Sequence, residues 1–142
     1  VTNAKCEVDN QITGQIEQGF CVFIGVAEGD NEQIADKMIR KLLGMRIFAD
    51  ADGKTNLALQ DVNGGLLLIS QFTLYANCRK GNRPSFTEAG NPELANHLYE
   101  YIIQKCREQI SNVQTGIFGA DMQISLTNDG PFTIILDSVD LA

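Results

Sequence analysis

Residues 19–26 form an unbroken apolar run, long enough for a strand and too short for an ordinary helix. Such a run predicts a central strand covered on both faces, so the rest of the chain must supply a layer for each side. The neighbouring segments are suited to that. Residues 4–8 alternate apolar and polar, Asp9-Asn10 predicts a turn, and a second short strand is expected at 12–16. Asp30 is the expected cap of a helix, with Gln33 completing a capping box, Ile34, Met38, Ile39, Leu42 and Leu43 along one face, and Gly44 as the stop. A strand at 45–49, a turn at Asp52-Gly53 and a strong strand at 66–74 follow. Residues 77–86 are polar, basic and loop-like. Asn91-Pro92-Glu93 starts a second helix, with Pro in the first turn and the stripe Leu94, Leu98, Ile102 and Cys106 running to about Ile110. The last third reads as strands at 113–115, 122–126 and 132–136, with a turn at 128–131. These segments predict an α+β fold: a mostly antiparallel, twisted sheet closing on itself into a barrel-like core, with two main helices.

The chain has 142 residues and no repeat, low-complexity stretch or linker, so residues 1–142 are expected to form a single domain. A chain of that length buries roughly two-thirds of its unfolded surface and needs no metal or disulfide staple. No apolar stretch reaches the roughly 18 residues of a membrane span. No basic start followed by an apolar block opens the sequence, so a signal peptide is not expected, and Val1 in place of an initiator Met reads as a processed or trimmed start. Eleven Lys and Arg stand against eighteen Asp and Glu, a net charge of −7. That balance excludes a protein that coats nucleic acid nonspecifically, but leaves room for a local basic patch. Cys6, Cys21, Cys78 and Cys106 show neither a Cys-x-x-Cys pair nor a zinc rhythm, and are read as reduced thiols of a cytoplasmic protein.

The usual catalytic kits are missing. His97 is the one histidine, at the fringe of the second helix's apolar stripe, and a structural or solvent-facing role suits it better than catalysis. One histidine also excludes a two-His metal site within the chain. Ser70 lacks the Gly-x-Ser-x-Gly elbow, and the glycines form neither a phosphate loop nor a dinucleotide fingerprint. Asp50 and Asp52 flank a turn, where solvation is their ordinary state. No metal or cofactor is expected.

Two segments resist that plain reading. Ser70-Gln71-Phe72-Thr73 ends a core strand with three hydrogen-bonding side chains; it is either an edge strand with ordinary polar alternation or the lining of a site. Asn128-Asp129-Gly130-Pro131-Phe132-Thr133 is turn chemistry, and its Gly-Pro bond is one where the cis form costs only about 0.5–1 kcal/mol.

At these two segments the sequence resembles the D-aminoacyl-tRNA deacylases. Ser70 to Thr73 matches the family's Ser-Gln-Phe-Thr motif and Asn128 to Thr133 its Asn-x-Gly-Pro-x-Thr motif. Gly25-Val26, Arg46-Ile47-Phe48, Asn56-Leu57, Arg83-Pro84-Ser85-Phe86 and Gly119-Ala120-Asp121-Met122 extend the likeness over nearly the whole chain. The resemblance implies a homodimer with its active sites at the interface. The substrate would be aminoacyl-tRNA at its 3′ acceptor end, not DNA or a membrane, and the reaction hydrolysis of the ester to a D-amino acid. In this family the Gly-Pro peptide is cis and reaches into the partner's pocket. Carried over, the carbonyls of Gly130 and Pro131 would hold the substrate's amino group and leave no room for an L side chain, with Asn128 and Thr133 shaping the same elbow. Ser70, Gln71, Phe72 and Thr73 would line the catalytic strip. Backbone N–H groups near Phe72 and Thr73 would face the ester carbonyl, and Gln71 would position substrate. Thr73 has no neighbouring base in sequence, which makes it a positioning group; water attack helped by the terminal 2′-hydroxyl is the expected chemistry. Phe118 and Met122 are expected either to wall the pocket or to pack in the core. The family also carries, on a strand before the position of Val1, an Arg that supports the elbow; it is not among these residues.

Basic residues gather in two places, Lys37, Arg40, Lys41 and Arg46, then Arg79, Lys80 and Arg83. The second group follows the Ser-Gln-Phe-Thr strip and is the expected tRNA contact, unless it is simply a solvated loop. Two alternatives remain: a catalytically inactive dimeric RNA-binding module, and the related deacylase that removes an L-amino acid. The latter opens the first motif with Pro, which Ser70 speaks against. Glycyl-tRNA is a further possible substrate.

Overall fold

The computed structural model describes residues 1–142. Its framework is two three-stranded sheets and two helices. Strands β1 (Asn3–Val8), β2 (Gln11–Ile16), β3 (Gly19–Ile24), β4 (Phe48–Ala49), β5 (Thr55–Leu57), β6 (Gly65–Ser70), β7 (Val113–Thr115) and β8 (Gln123–Thr127) are joined by helices α1 (Glu32–Gly44) and α2 (Pro92–Arg107). One sheet is antiparallel in the order β2-β1-β8, another parallel in the order β3-β6-β7, and β4-β5 is a small hairpin. The fold is thus a mixed α/β arrangement. No sheet closes on itself, which corrects the barrel-like, mostly antiparallel core expected from the sequence.

The side chains of β6 explain the layering. It is buried along almost its whole length. Leu66 and Leu68 point into the cluster built with Ala35, Ile39, Tyr99, Ile102 and Cys106 of the helices. Leu67 and Ile69 point the other way, into a cluster with Ala4, Cys6 and Ile16 of the antiparallel sheet. Successive side chains of a strand face opposite sides, so a strand apolar at every position is a strand with a layer on each face. Each of these leucines gains about 2 kcal/mol from burial, so β6 is the most strongly fixed strand in the chain. The 19–26 run is instead the edge of the parallel sheet and only half-buried. The strand buried on both faces is its partner.

Several local signals hold. Asp9 and Asn10 both adopt positive φ in the two-residue β1–β2 turn, as Asp and Asn tolerate. Asn91 caps α2 by accepting from the Leu94 amide, with Pro92 in the first turn. Others shift. Helix α1 is capped by Asn31, which accepts from Ile34; Asp30 takes the Ala27 amide instead. Helix α2 stops at Arg107 rather than near Ile110, and β4 shrinks to two residues. Residues 132–136 form no strand, because no neighbouring strand in the chain accepts their ladder. All four cysteines are free, two of them buried. No helix is long and apolar enough to cross a membrane.

Candidate functional site

The Ser-Gln-Phe-Thr motif lies where β6 runs out of its sheet. Ser70 is the last ladder residue, opposite Ile24, and the Gln71 amide makes one more bond to the Ile24 carbonyl at 2.8 Å. Beyond it the chain turns into a 3-10 helix, Phe72–Tyr75, rather than continuing as the strand expected through residue 74. The first bond of that turn is Leu74 N–H to the Gln71 carbonyl. The N–H groups of Phe72 and Thr73 precede it, so the turn itself leaves them without a partner. The Gln71 side-chain amide donates to the Thr73 hydroxyl at 3.0 Å. Phe72 is 56% exposed, an unusual state for a Phe beside the best-buried strand of the molecule.

Packing around this turn is specific. At Gly25 a Cβ would meet the Leu74 Cβ at 3.0 Å and the Tyr75 ring at 3.1 Å, so the missing side chain lets the turn settle on the end of β3. Burial is the main cause pushing the Tyr75 phenol above its usual range, with the charges of Asp30 and Asp137 adding to it. The Phe72 and Phe86 rings meet edge-on, centroids 5.1 Å apart. Two backbone bonds between Asn77 and Ser85 fold the intervening loop back on itself, so Arg79, Lys80 and Arg83 sit on a short excursion anchored beside Phe72. None of the three is in an ion pair. The loop-like reading of 77–86 holds, with one isolated bridge between Asn77 and Ser85 closing the loop. Gly25, Tyr75 and Phe86 contribute to the turn beyond the residues expected at the site. Gly25 and Phe86 carried a signal, each lying in a segment of the family likeness; Tyr75 had none.

The second motif closes on itself. Asn128 accepts the Phe132 amide and donates to the Thr133 hydroxyl, both at 2.8 Å. Gly130 holds φ at +129°, which an L side chain rarely adopts, and the Gly130–Pro131 peptide is cis. Every residue from 128 to 133 is exposed. No hydrogen bond joins this turn to Ser70–Thr73 within the chain. The structure therefore brings Ser70, Gln71, Phe72, Thr73 and the Arg79–Arg83 loop together, and leaves Asn128, Gly130, Pro131 and Thr133 projecting alone. Met122 packs half-buried against the cluster of Ala4, Cys6, Ile16, Leu67 and Ile69. Phe118 packs against the helices, its ring 6.2 Å from that of Tyr99.

His97 and Asp50 are held in local contacts away from this site. His97 is exposed and meets Glu32 at 3.2 Å between the two helices. Asp50 accepts the amides of Lys54 and Asp52 and the Asn56 side chain; the Lys54 bond is the main cause holding its carboxyl below the usual range. No three His, Cys, Asp or Glu side chains are grouped to hold a metal ion.

An exposed polar turn at a strand end, beside a basic loop and with two backbone N–H groups that the turn itself leaves free, can offer donors to an acyl oxygen. Comparison with known proteins makes the assignment particular. The D-Tyr-tRNA(Tyr) deacylase family model matches residues 1–137, and the chain belongs to that family. It is 49% identical over 138 residues to the D-aminoacyl-tRNA deacylase of Thermosipho africanus (strain TCF52B), covering 97% of this chain and 93% of that one. It is 51% identical, at the same coverage, to the D-aminoacyl-tRNA deacylase of Clostridium tetani (strain Massachusetts / E88). Among solved structures, the c-Myc DNA Unwinding Element Binding Protein superposes with a TM-score of 0.91 at 35% identity, over 96% of this chain and 93% of that one.

Proposed function

We propose that this chain is a D-aminoacyl-tRNA deacylase, a hydrolase of the ester joining a D-amino acid to the 3′ end of tRNA. Membership of the family over residues 1–137, with both motifs intact, carries the reading. In the reaction a water oxygen attacks the ester carbonyl carbon and the bond to the ribose oxygen breaks. That oxygen leaves with a proton, as free tRNA, and the D-amino acid departs as its acid. The N–H groups of Phe72 and Thr73, unused by their own turn, are placed to receive the carbonyl oxygen as charge develops on it. Gln71, fixed by its bond to Thr73, positions the aminoacyl group. The terminal 2′-hydroxyl assists the water, since no protein base stands nearby.

Chirality is assigned to the Gly130–Pro131 turn. Its carbonyls take the substrate's ammonium group and leave no space on the side where an L side chain would lie, so discrimination works by exclusion. The turn does not bond to its own chain's Ser70–Thr73, which suits a homodimer in which each protomer lends its elbow to its partner. The exposed apolar residues Phe132, Ile134 and Ile135 follow that elbow in the chain, Ile135 being 91% exposed. They would be covered in such a dimer. Arg79, Lys80 and Arg83 contact phosphates near the acceptor end. Phe118 and Met122 support the pocket from the core side. A cytoplasmic location fits a tRNA substrate, and glycyl-tRNA, which has no side chain to exclude, is a further substrate.

The test is turnover of D-tyrosyl-tRNA by the purified chain in the presence of a chelator. Release of free D-tyrosine over many turnovers supports the enzyme. Stoichiometric binding without release would make the chain an RNA-binding module instead.

A further inference from the structure

The cations of α1 lie outside the site just described. Lys37, Arg40 and Lys41 are spaced three and four residues apart, which places them on one helix face within about one turn, roughly 5.4 Å, of each other. The chain's ion pairs are Lys5–Glu7, His97–Glu32 and Lys105–Glu108, and none includes these three. Arg46, which composition groups with them, is engaged elsewhere: its guanidinium donates to the Asn56 backbone and side chain. With eighteen acidic residues in the chain, a row of unpaired cations does not reflect a shortage of carboxylates. The three also line one cleft of about 450 Å³, together with Gly44 and Met45 at the helix end and residues 141–142. Of the acidic residues just before this stretch, Asp137 accepts the Val139 amide, and Asp140, next to Leu141 of the lining, forms no ion pair with the three cations. Lys41 in the last turn also serves the helix dipole, but Lys37 lies a turn earlier and a concave lining serves no dipole.

Resting on the deacylase reading, we infer that this cleft is a second RNA contact that holds backbone phosphates of the tRNA stem, away from the reacting ester. Its lining has no aromatic ring on which a base could stack, so it grips phosphates without reading sequence. That suits an enzyme whose substrates differ in tRNA. Ten residues separate Pro131 from Leu141, at most about 35 Å of chain, so cleft and elbow lie within one stem's reach of each other.

The test compares D-tyrosyl-tRNA with the D-tyrosyl ester of a CCA trinucleotide. In the variant carrying Lys37→Gln, Arg40→Gln and Lys41→Gln, the ratio of kcat/KM for the tRNA ester to that for the short ester falls about tenfold. The slope of log KM for tRNA against log salt becomes shallower by about 2 to 3. Arg40→Gln alone gives a smaller change in the same direction, and Lys5→Gln, which removes a cation already paired, leaves the ratio where it was. Far-UV circular dichroism confirms that α1 persists. An unchanged ratio and slope overturn the inference, as does capture of anionic lipid vesicles by the cleft without any effect on tRNA. If neither ester is hydrolysed, the deacylase reading has failed. Filter retention of uncharged tRNA, lost in the triple variant if the cleft binds RNA and kept if it does not, then decides the cleft separately.

Discussion

Gln71 is the only side chain hydrogen-bonded to the Thr73 hydroxyl, donating to it at 3.0 Å on an exposed turn. A hydroxyl held by an amide is oriented but not activated, because an amide takes no proton from it. Replacing Thr73 with Val should therefore lower kcat for the D-ester by about tenfold. A covalent nucleophile lost in this way costs roughly 10⁴-fold or more, so single-turnover kinetics on the variant separate the two roles.

Gly25 supports the same turn from below. A Cβ there meets Leu74 at 3.0 Å and the Tyr75 ring at 3.1 Å. Gly25→Ala should displace the Phe72–Tyr75 turn by a few tenths of an ångström and reduce kcat about tenfold. KM for tRNA should move much less. Equal losses in kcat and thermal stability with no change in the kcat-to-KM split would mean that Gly25 matters only for folding.

Gly130 at φ +129° is a position where an L residue costs about 1–3 kcal/mol. Gly130→Ala should distort the elbow and lower D-ester kcat/KM by about a hundredfold, while Tm stays within a few degrees because residues 128–133 are exposed. Unchanged hydrolysis would remove Gly130 from the site.

Alkaline pH reaches the core through buried thiols and phenols. Burial pushes Cys21 and Cys106 up from 9.0 to about 11 and Tyr99 from 10.0 to about 12. The folded chain thus holds protons that the unfolded chain releases. Stability contributed by these groups is complete below about pH 9 and declines as pH rises toward 12. Guanidinium midpoints measured from pH 8 to 12 should fall steadily over that window, and a flat profile contradicts the assignment. Tyr101, raised to about 12 chiefly by its hydrogen bond to Asp36, should ionise earlier in Asp36→Asn, read at 295 nm.

Legibility in the sequence followed the range of the interactions. Short-range signals such as Asp9-Asn10 and Asn91-Pro92 were readable, since a turn or cap is decided by a few neighbouring atoms. Asn31 displaced Asp30 as the cap because both are adequate cap residues and the Ala27 amide needed an acceptor. Sheet direction was less legible. β6 and β3 pair in parallel because α1 carries the chain back across the sheet, and no residue of either strand announces that partner. The strip Ser70 to Thr73 and the elbow at Gly130 and Pro131 were found through resemblance. Neither contains a residue type that composition alone marks as chemical. Residues 132–136 misled as a strand because an apolar run reports a surface to be covered, not the neighbour that would cover it.

If the elbow at Gly130 and Pro131 admits one hand of an amino acid to the Phe72 and Thr73 amides, hydrolysis must be stereospecific. The most direct measurement is hydrolysis of matched D- and L-tyrosyl-tRNA by the same preparation. The D-ester should be lost rapidly with the L-ester spared; equal loss of both would mean that the elbow does not select chirality.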